Sequence, residues 1–345
     1  MNKRNIFTSV AVFALIGILV LSQIGGCKQC NKPTGGNGTD TTATVNEVTV
    51  AAPKFNSDTA YAYVQSQVDM GPRPMNTKAH DDCAAWIIAE AKKYADTVYV
   101  QRFDAKGWDN KTLKGTNIIA SFNPGAQHRI LISTHWDSRP IADQDTKDKD
   151  KPILAANDAG SGVGVMLEIA RAIRTQPINI GIDLFFNDAE DYGNSEGGED
   201  TYCLGVQHWG KNPHVAGYKA EFGILLDMVG ARNSVFPREG YSSSTAGWVQ
   251  DLVWANAAKA GWSGFFSNEQ MPGQITDDHV YINSLTGIPT IDIIHLDRSS
   301  RSGTFGDYWH THDDNMSIID KTTLRAVGET LLYTIYKFDA EMKVQ

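Results

Sequence analysis

The sequence predicts an α/β sandwich, in which helices cover both sides of a mainly parallel β-sheet. Two observations support this fold class: stretches with the hydrophobic period of a helix alternate with strand-like stretches, and several strand-like stretches are continuously apolar. Strands that are apolar on both faces are typical of parallel sheets, which helices bury from both sides. The 345 residues, 41% of them apolar and 21% charged, are enough to bury a substantial core.

The order of the elements follows from the period of the apolar residues and from capping and turn residues. Ser57 can cap a helix that reaches Met70, where a turn rich in Gly and Pro stops it. Apolar residues at helical spacing predict further helices over residues 77–94, 162–174, 248–259 and 321–338. Apolar runs of strand length predict strands over residues 98–103, 117–122, 129–134, 180–186, 222–229 and 290–294.

The first 48 residues are expected to lie outside the folded domain. Lys3 and Arg4 precede an apolar run over residues 6–21, and small residues then lead up to Cys27. This order is typical of a secretory signal, and it resembles the lipobox of bacterial lipoproteins, whose cysteine carries the lipid. We therefore expect a signal peptide over residues 1–26, a lipid-modified Cys27, and a polar flexible tether over residues 27–48.

An uncleaved membrane anchor and a plain cleaved signal are the alternatives to the lipoprotein. Each alternative places the folded domain, expected over residues 49–345, outside the cytoplasm. On the lipoprotein interpretation the protein belongs to the bacterial cell envelope, on the periplasmic side, and touches the membrane only through its N-terminal anchor. We expect a monomer.

Charge and cysteine content argue against two classes of protein. The 31 basic and 40 acidic residues give a net charge of −9, which makes a nucleic-acid partner a poor hypothesis. Four cysteines in the whole chain are too few for a scaffold built on disulfides. In the folded part, Cys83 and Cys203 can either pair or remain free thiols, and the sequence does not decide between the two.

Acidic and histidine side chains recur at strand ends and in nearby loops. Because ligands of open α/β sheets bind beyond the carboxyl ends of the strands, we expect these side chains to converge. Converging carboxylates repel one another unless a cation balances them. Oxygen and imidazole donors without a thiolate favour a catalytic zinc site over a manganese site. The segments concerned are His135-Trp136-Asp137, Asn157-Asp158, Asp188-Ala189-Glu190-Asp191, Asp227, Thr276-Asp277-Asp278-His279 and Trp309-His310-Thr311-His312-Asp313-Asp314.

Five motifs in order resemble those of the zinc-aminopeptidase superfamily and, within it, those of the animal-type glutaminyl cyclases and their bacterial relatives. They are HWDS at residues 135–138, NDAGSG at 157–162, FNDAED at 186–191, LLDMVGA at 225–231 and YWHT at 308–311. The resemblance implies a three-layer α/β/α sandwich around a mixed, mostly parallel sheet. It also implies a zinc-dependent enzyme that converts the N-terminal Gln of peptides and proteins into pyroglutamate and releases ammonia.

The resemblance implies one zinc ion per chain, held by Asp158, Asp191 and His310. At position 191 the family usually has Glu, so this chain departs from the commonest pattern. A shorter side chain can still bind the metal, but the backbone must bring it closer.

The catalytic residues implied by the resemblance are Glu190, as general base and acid, and Asp227 and Asp277, which hold its proton network. In an alternative register Glu190 would be the metal ligand and Ala189 would stand at the position of the base. We reject that register because it leaves no acid–base residue.

An aromatic pocket for the glutamine side chain is the third implication. Trp309 and Phe305 are expected to form its wall, and the loop with Ile275 and Thr276 is expected to contribute to it. The tryptophan that the family shows soon after the acidic pair is absent here. Two aromatic residues are candidates to replace it, Tyr202 and Trp209.

A dinuclear zinc aminopeptidase is the main alternative function. In such an enzyme His135 and Asp227 would complete a second metal site, and Glu190 would activate a metal-bound water. A silent binding protein on the same scaffold is a third hypothesis, against which the intact set of acids and metal ligands argues.

Overall fold

A six-stranded sheet forms the centre of the molecule in the computed structural model, which describes residues 50–271 and 273–343. In space its strands follow the order β1-β2-β4-β3-β5-β8, and β6 and β7 form a separate pair. The strands are β1 (Thr97–Lys106), β2 (Thr112–Phe122), β3 (Arg129–His135), β4 (Gly181–Asn187), β5 (Phe222–Asp227), β6 (Phe236–Arg238), β7 (Phe266–Gln270) and β8 (Thr290–Ile294). β1 and β2 pair antiparallel with their neighbours, and the other pairings in the sheet are parallel.

Helices cover both faces of the sheet. They are α1 (Ser57–Asp69), α2 (Lys78–Lys92), α3 (Gly160–Thr175), α4 (Leu204–Lys211), α5 (Gly240–Thr245), α6 (Gly247–Lys259), α7 (Asp278–Thr286) and α8 (Lys321–Met342). The first face packs against α1, α2, α3, α6 and α8, and the second packs against α4 and α7. The predicted three-layer sandwich around a mixed, mostly parallel sheet is therefore confirmed.

The apolar side chains of the central strands contribute to two hydrophobic cores, one on each face of the sheet. Along β3, Ile130 and Ile132 belong to the larger cluster, whereas Leu131 between them joins Trp209 of α4 and Ile282 of α7. Successive side chains of a strand point to opposite faces, so a strand buried on both faces is apolar without interruption.

The sheet also brings the strand-end motifs together. The parallel strands β3, β4, β5 and β8 end at His135, Asn187, Asp227 and Ile294, on one edge of the sheet. The segments that follow them therefore start from neighbouring points.

Short elements account for most differences from the sequence prediction. Helices α4, α5 and α7 and the pair β6–β7 were not predicted, since each is too short to show a clear period. A loop was expected at Asp277, which instead caps α7 by accepting a hydrogen bond from the Asp278 amide. The cap of α1 is Asn56 and not Ser57, because the Asn56 side chain accepts from two amides of the first turn.

The predicted signal peptide, the lipid-modified Cys27 and the tether lie outside the described residues and stay predictions, as does the domain boundary at residue 49. Within residues 50–271 and 273–343, no helix has both the length and the apolar character needed to cross a membrane.

Candidate active site

A cavity of about 180 Å³ opens beside the carboxyl ends of β4, β5 and β8. All the site residues predicted for the folded part line it: Asp158, Glu190, Asp191, Tyr202, Asp227, Ile275, Thr276, Asp277, Phe305, Trp309 and His310. The sequence analysis missed three further lining residues, Glu199, Met228 and Ile294. The cavity thus combines an acidic floor with an aromatic and aliphatic wall.

Asp158, Asp191 and His310 form a group in which one possible ligand atom of each lies within 4.8 Å of the others. The Nε2 atom of His310 is 3.4 Å from Asp191 Oδ1 and 3.9 Å from Asp158 Oδ2. All three residues are buried, and Asp191 Oδ2 has no hydrogen-bond partner. Two buried carboxylates and an imidazole, with an unsatisfied oxygen among them, fit a zinc ion in an open site.

The backbone brings the short side chain of Asp191 to this group. The carboxylate of Asp137, just after β3, accepts hydrogen bonds from the amides of Glu190 at 3.1 Å and Asp191 at 3.2 Å. Ala189, before them, has a φ of 57° in the left-handed region, which non-glycine residues adopt mainly where the surroundings enforce it. This turn places Asp191, and not Glu190, together with Asp158 and His310.

Glu190 lies beside the metal-ligand group and faces different partners. The thiol of Cys203 lies 3.6 Å from its Oε1 and donates to it, and His135 Nε2 lies 4.0 Å from its Oε2. Burial raises the pKa of Glu190 well above its usual value; His135 opposes the rise, and nearby Asp191 and Asp277 add to it. A carboxyl group with a raised pKa is suited to take and return a proton near neutral pH.

Asp227 and Asp277 complete a buried acidic patch around Glu190. Burial, together with the charge of Asp158, raises the pKa of Asp227 to about 8. Asp277 uses Oδ1 to cap α7, while its Oδ2 has no hydrogen-bond partner, and burial raises its pKa. Both groups are therefore poised to hold a proton close to Glu190.

A second group that could hold a cation shares Asp158 with the first. One ligand atom each of His135, Asp158 and Asp227 lie within 4.8 Å of one another. His135 Nε2 forms a hydrogen bond with Asp158 Oδ1 at 3.0 Å and lies 3.5 Å from Asp227 Oδ1. Burial lowers the pKa of His135, but the surrounding carboxylates outweigh burial and raise it well above its usual value.

Aromatic rings form one wall of the cavity. The ring of Trp309 stacks on His310, with centroids 3.8 Å apart, and Phe305 lies 4.7 Å from Trp309. Tyr202 lines the cavity as well. Trp209 of α4, the other candidate for the missing tryptophan, lies fully buried in the core, so of the two candidates Tyr202 is the one that lines the cavity.

Polar residues that the sequence analysis did not single out surround the metal-ligand group. Arg139 donates to Asp191 Oδ1 at 3.0 Å and to Asp143 Oδ1 at 2.6 Å, and Asp143 Oδ1 lies 3.2 Å from His310 Nδ1. Their one sequence signal is position, since both follow the His135 motif closely. Cys83 and Cys203, whose pairing was left open, are both free and buried.

Glu239 anchors the loop that carries Ile275. Its Oε1 accepts from the Ile275 amide at 3.0 Å, and its Oε2 accepts from the Ser242 amide and lies 3.2 Å from His279 Nε2. Burial alone would raise the pKa of Glu239, but His279 and the donated hydrogen bonds lower it to about 2. This carboxylate therefore ties the cavity loop to the start of α7.

Comparison with known proteins finds one family along most of the folded part. The model of peptidase family M28 matches residues 117–335, a segment that contains every residue lining the cavity. The chain is similar to the glutaminyl-peptide cyclotransferase of Bos taurus, with 25% identity over 255 residues, 65% of this chain and 66% of the bovine protein.

Solved structures are more similar to this chain. The glutaminyl cyclase of Bacteroides thetaiotaomicron, bound to N-acetylhistamine, is 47% identical and superposes with a TM-score of 0.80, covering 83% of this chain and 99% of its own. A Zn-dependent exopeptidase from Parabacteroides distasonis is also 47% identical, with the same coverage of both chains and a TM-score of 0.80.

Replacement of Glu239 by Gln tests the loop anchor. Because the pKa of this carboxyl falls from 4.5 to about 2 on folding, the wild type should be more stable than the variant by about 3 kcal/mol at pH 7. This advantage should persist above pH 4.5 and shrink as the pH falls towards 2. Urea unfolding from pH 3 to pH 7 measures this difference in stability.

The control Glu221→Gln, in an exposed pair with His128, should change stability by less than about 1 kcal/mol. A Glu239→Gln deficit that does not vary with pH would contradict the assignment.

Proposed function

This chain belongs to peptidase family M28, and we propose that it is a glutaminyl-peptide cyclotransferase, which converts N-terminal Gln into pyroglutamate and releases ammonia. The observation that carries the proposal is the separation of two roles at adjacent positions. Asp191 joins the group that can hold a metal ion, while Glu190 stands outside it as a buried carboxyl group with a raised pKa.

Asp158, Asp191 and His310 would hold the metal ion, which we propose to be a single zinc. The donor set supports this, as does the similarity to a Zn-dependent exopeptidase. Bound there, zinc would polarise the side-chain amide of the substrate glutamine and offset negative charge that develops on its oxygen.

Glu190 moves the protons in the proposed reaction. Its carboxylate takes a proton from the α-amine of the substrate as that amine attacks the δ-carbon of the glutamine side chain, and it then returns a proton to the departing ammonia. Asp227 and Asp277 support Glu190 by holding protons beside it in the same buried acidic patch. The substrate amine is itself the nucleophile, so no serine or cysteine nucleophile is required.

The aromatic wall orients the substrate. Trp309, Phe305 and Tyr202 enclose the glutamine side chain, with Ile275 and Thr276 at the loop that Glu239 anchors. Amine and amide carbon must meet in the geometry of a five-membered ring, and restricting the side chain to that geometry supplies a large part of the rate acceleration.

A dinuclear aminopeptidase is the second candidate function. The second group, His135, Asp158 and Asp227, favours it, because it could hold another ion.

We also propose that the enzyme is a monomer of the bacterial envelope, attached on the periplasmic side through a lipid on Cys27. The support is the order of basic, apolar and small residues before that cysteine. Its partners would be peptides and proteins with N-terminal Gln.

The direct test is an assay with two peptides that differ only in their first residue. The Gln-initiated peptide should lose one ammonia and keep its length, and the Leu-initiated peptide should remain intact. Ammonia detection and mass spectrometry measure both results. Release of free leucine, without cyclisation of the first peptide, would favour the aminopeptidase.

Substitution Glu190→Gln tests the proton transfer. Turnover should fall by about 10²–10⁴-fold, because the amide cannot accept the proton, while the zinc content stays at the wild-type value. The control Glu196→Gln changes an exposed carboxylate that does not line the cavity and should leave most of the turnover. Loss of zinc from Glu190→Gln would show that Glu190 is a ligand.

Elemental analysis of the purified protein tests the metal count. We expect one zinc per chain, loss of that zinc in His310→Ala, and retention of it in His135→Ala. Two zinc ions per wild-type chain would instead indicate the dinuclear enzyme.

A further inference from the structure

Arg139 is a buried cation in direct contact with one of the proposed zinc ligands. Its exposed fraction is 3%, and it lies in the loop that follows β3. Nη1 donates to Asp191 twice, to Oδ1 and to the main-chain oxygen, each at 3.0 Å, and to the main-chain oxygen of Gly193 at 3.3 Å. The guanidinium therefore fixes both the side chain and the backbone of Asp191.

Asp143 extends this contact to a second ligand. Its Oδ1 accepts from Arg139 Nε at 2.6 Å and lies 3.2 Å from Nδ1 of His310. With Nδ1 turned towards Asp143, the Nε2 atom of His310 faces Asp158 and Asp191. His310 Nδ1 has no hydrogen-bond partner in the structure, and the Asp143 carboxylate is the group placed to hold the ring orientation and its tautomer when a metal binds.

The charge of Arg139 alone would not favour a metal ion here. A cation beside Asp191 competes with a divalent ion for the same carboxylate, so as a point charge it would weaken metal binding. The planar fork of a guanidinium supplies something else: several N–H groups in fixed directions, which can hold two carboxylates at once.

The same guanidinium also contacts the substrate side of the cavity. Arg139 Cζ lies 5.8 Å from the centre of the Tyr202 ring. That ring packs so closely on Gly193 that an added Cβ there would lie 2.2 Å from it. The Gly193 carbonyl is one that Arg139 holds.

We propose that Arg139 and Asp143 form a positioning bridge, which sets the ligand atoms of Asp191 and His310 in place for zinc. The bridge also explains how the short side chain of Asp191 is placed among the proposed ligands. A short side chain has little freedom to search for the metal, so its anchor must place it in advance. The inference rests on the proposed zinc site.

The test is the zinc affinity of Arg139→Lys, measured by competition with a chromogenic chelator. This variant keeps the positive charge and loses the fork, so it separates positioning from charge. We expect the zinc dissociation constant to rise about 10–100-fold. Asp143→Asn should weaken zinc binding in the same direction. Because its side chain is 32% exposed, this variant should fold even where Arg139→Lys does not.

Arg129→Lys is the matched control. Arg129 is also buried, at the first residue of β3, and pairs with Asp183 at the opposite end of the sheet. This control should lower the thermal midpoint of the zinc-free protein and leave zinc affinity unchanged. Arg139→Lys should also raise KM for the Gln peptide, through Tyr202, whereas Asp143→Asn should not.

Three results would decide against the bridge. One is that the two single variants, Asp143→Asn and Arg139→Lys, both fold and both bind zinc with wild-type affinity. Another is tighter zinc binding in Arg139→Lys. The third is an equal loss of affinity in Arg129→Lys, which would reflect general destabilisation. Failure of the wild-type protein to bind zinc at all would overturn the proposed function instead.

Discussion

Asp158, Asp191 and His310 belong to three separate connections of the chain, yet their ligand atoms approach within 4.8 Å of one another. Buried carboxylates at such distances repel, and removing them from water adds a further cost. A divalent cation bound there would offset both costs, and the fold keeps the proposed ligands together. The parallel strands end at one edge, and the residues after them supply the proposed ligands, the proposed acid–base group and the aromatic wall of the cavity.

Backbone geometry at these strand ends repeats one device. Ala189, Met228 and His310 all adopt left-handed φ values near 55°, although none is a glycine. Such residues cost about 1–3 kcal/mol each and persist where the surrounding contacts enforce them. Here the contacts are the hydrogen bonds of Asp137 beside Ala189 and the stacking of Trp309 beside His310. The backbone at these residues is less stable than an unstrained one, but it directs the neighbouring side chains into the cavity.

The sequence was informative wherever a simple rule connects pattern to position. Apolar runs identified the central strands, and the rule that strand ends converge predicted that the acidic and histidine segments share one site. The family resemblance then singled out Asp158, Asp191 and His310 within it. The choice between Tyr202 and Trp209 could not be made this way. That choice depends on the direction in which α4 leaves Tyr202, and the left-handed backbone of Cys203, just before the helix, sets this direction.

Contacts between distant loops were also beyond the sequence. Glu239 contacts Ile275, 36 positions away in the chain, and Arg139 contacts Asp191, 52 positions away. In the sequence, Glu239 and Arg139 look like ordinary surface charges. Only the folded loops show that these charges are buried and paired. Short helices could not be predicted either, because nine residues, as in α7, span too few turns to establish a hydrophobic period.

Trp309 and His310 are consecutive in the chain, and their rings lie face to face. The proposed substrate-binding wall and a proposed zinc ligand are thus adjacent in the chain and in contact. A substitution at either position would therefore disturb the other, whereas Glu199 and Thr276, which also line the cavity, are not next to a proposed metal ligand in the chain.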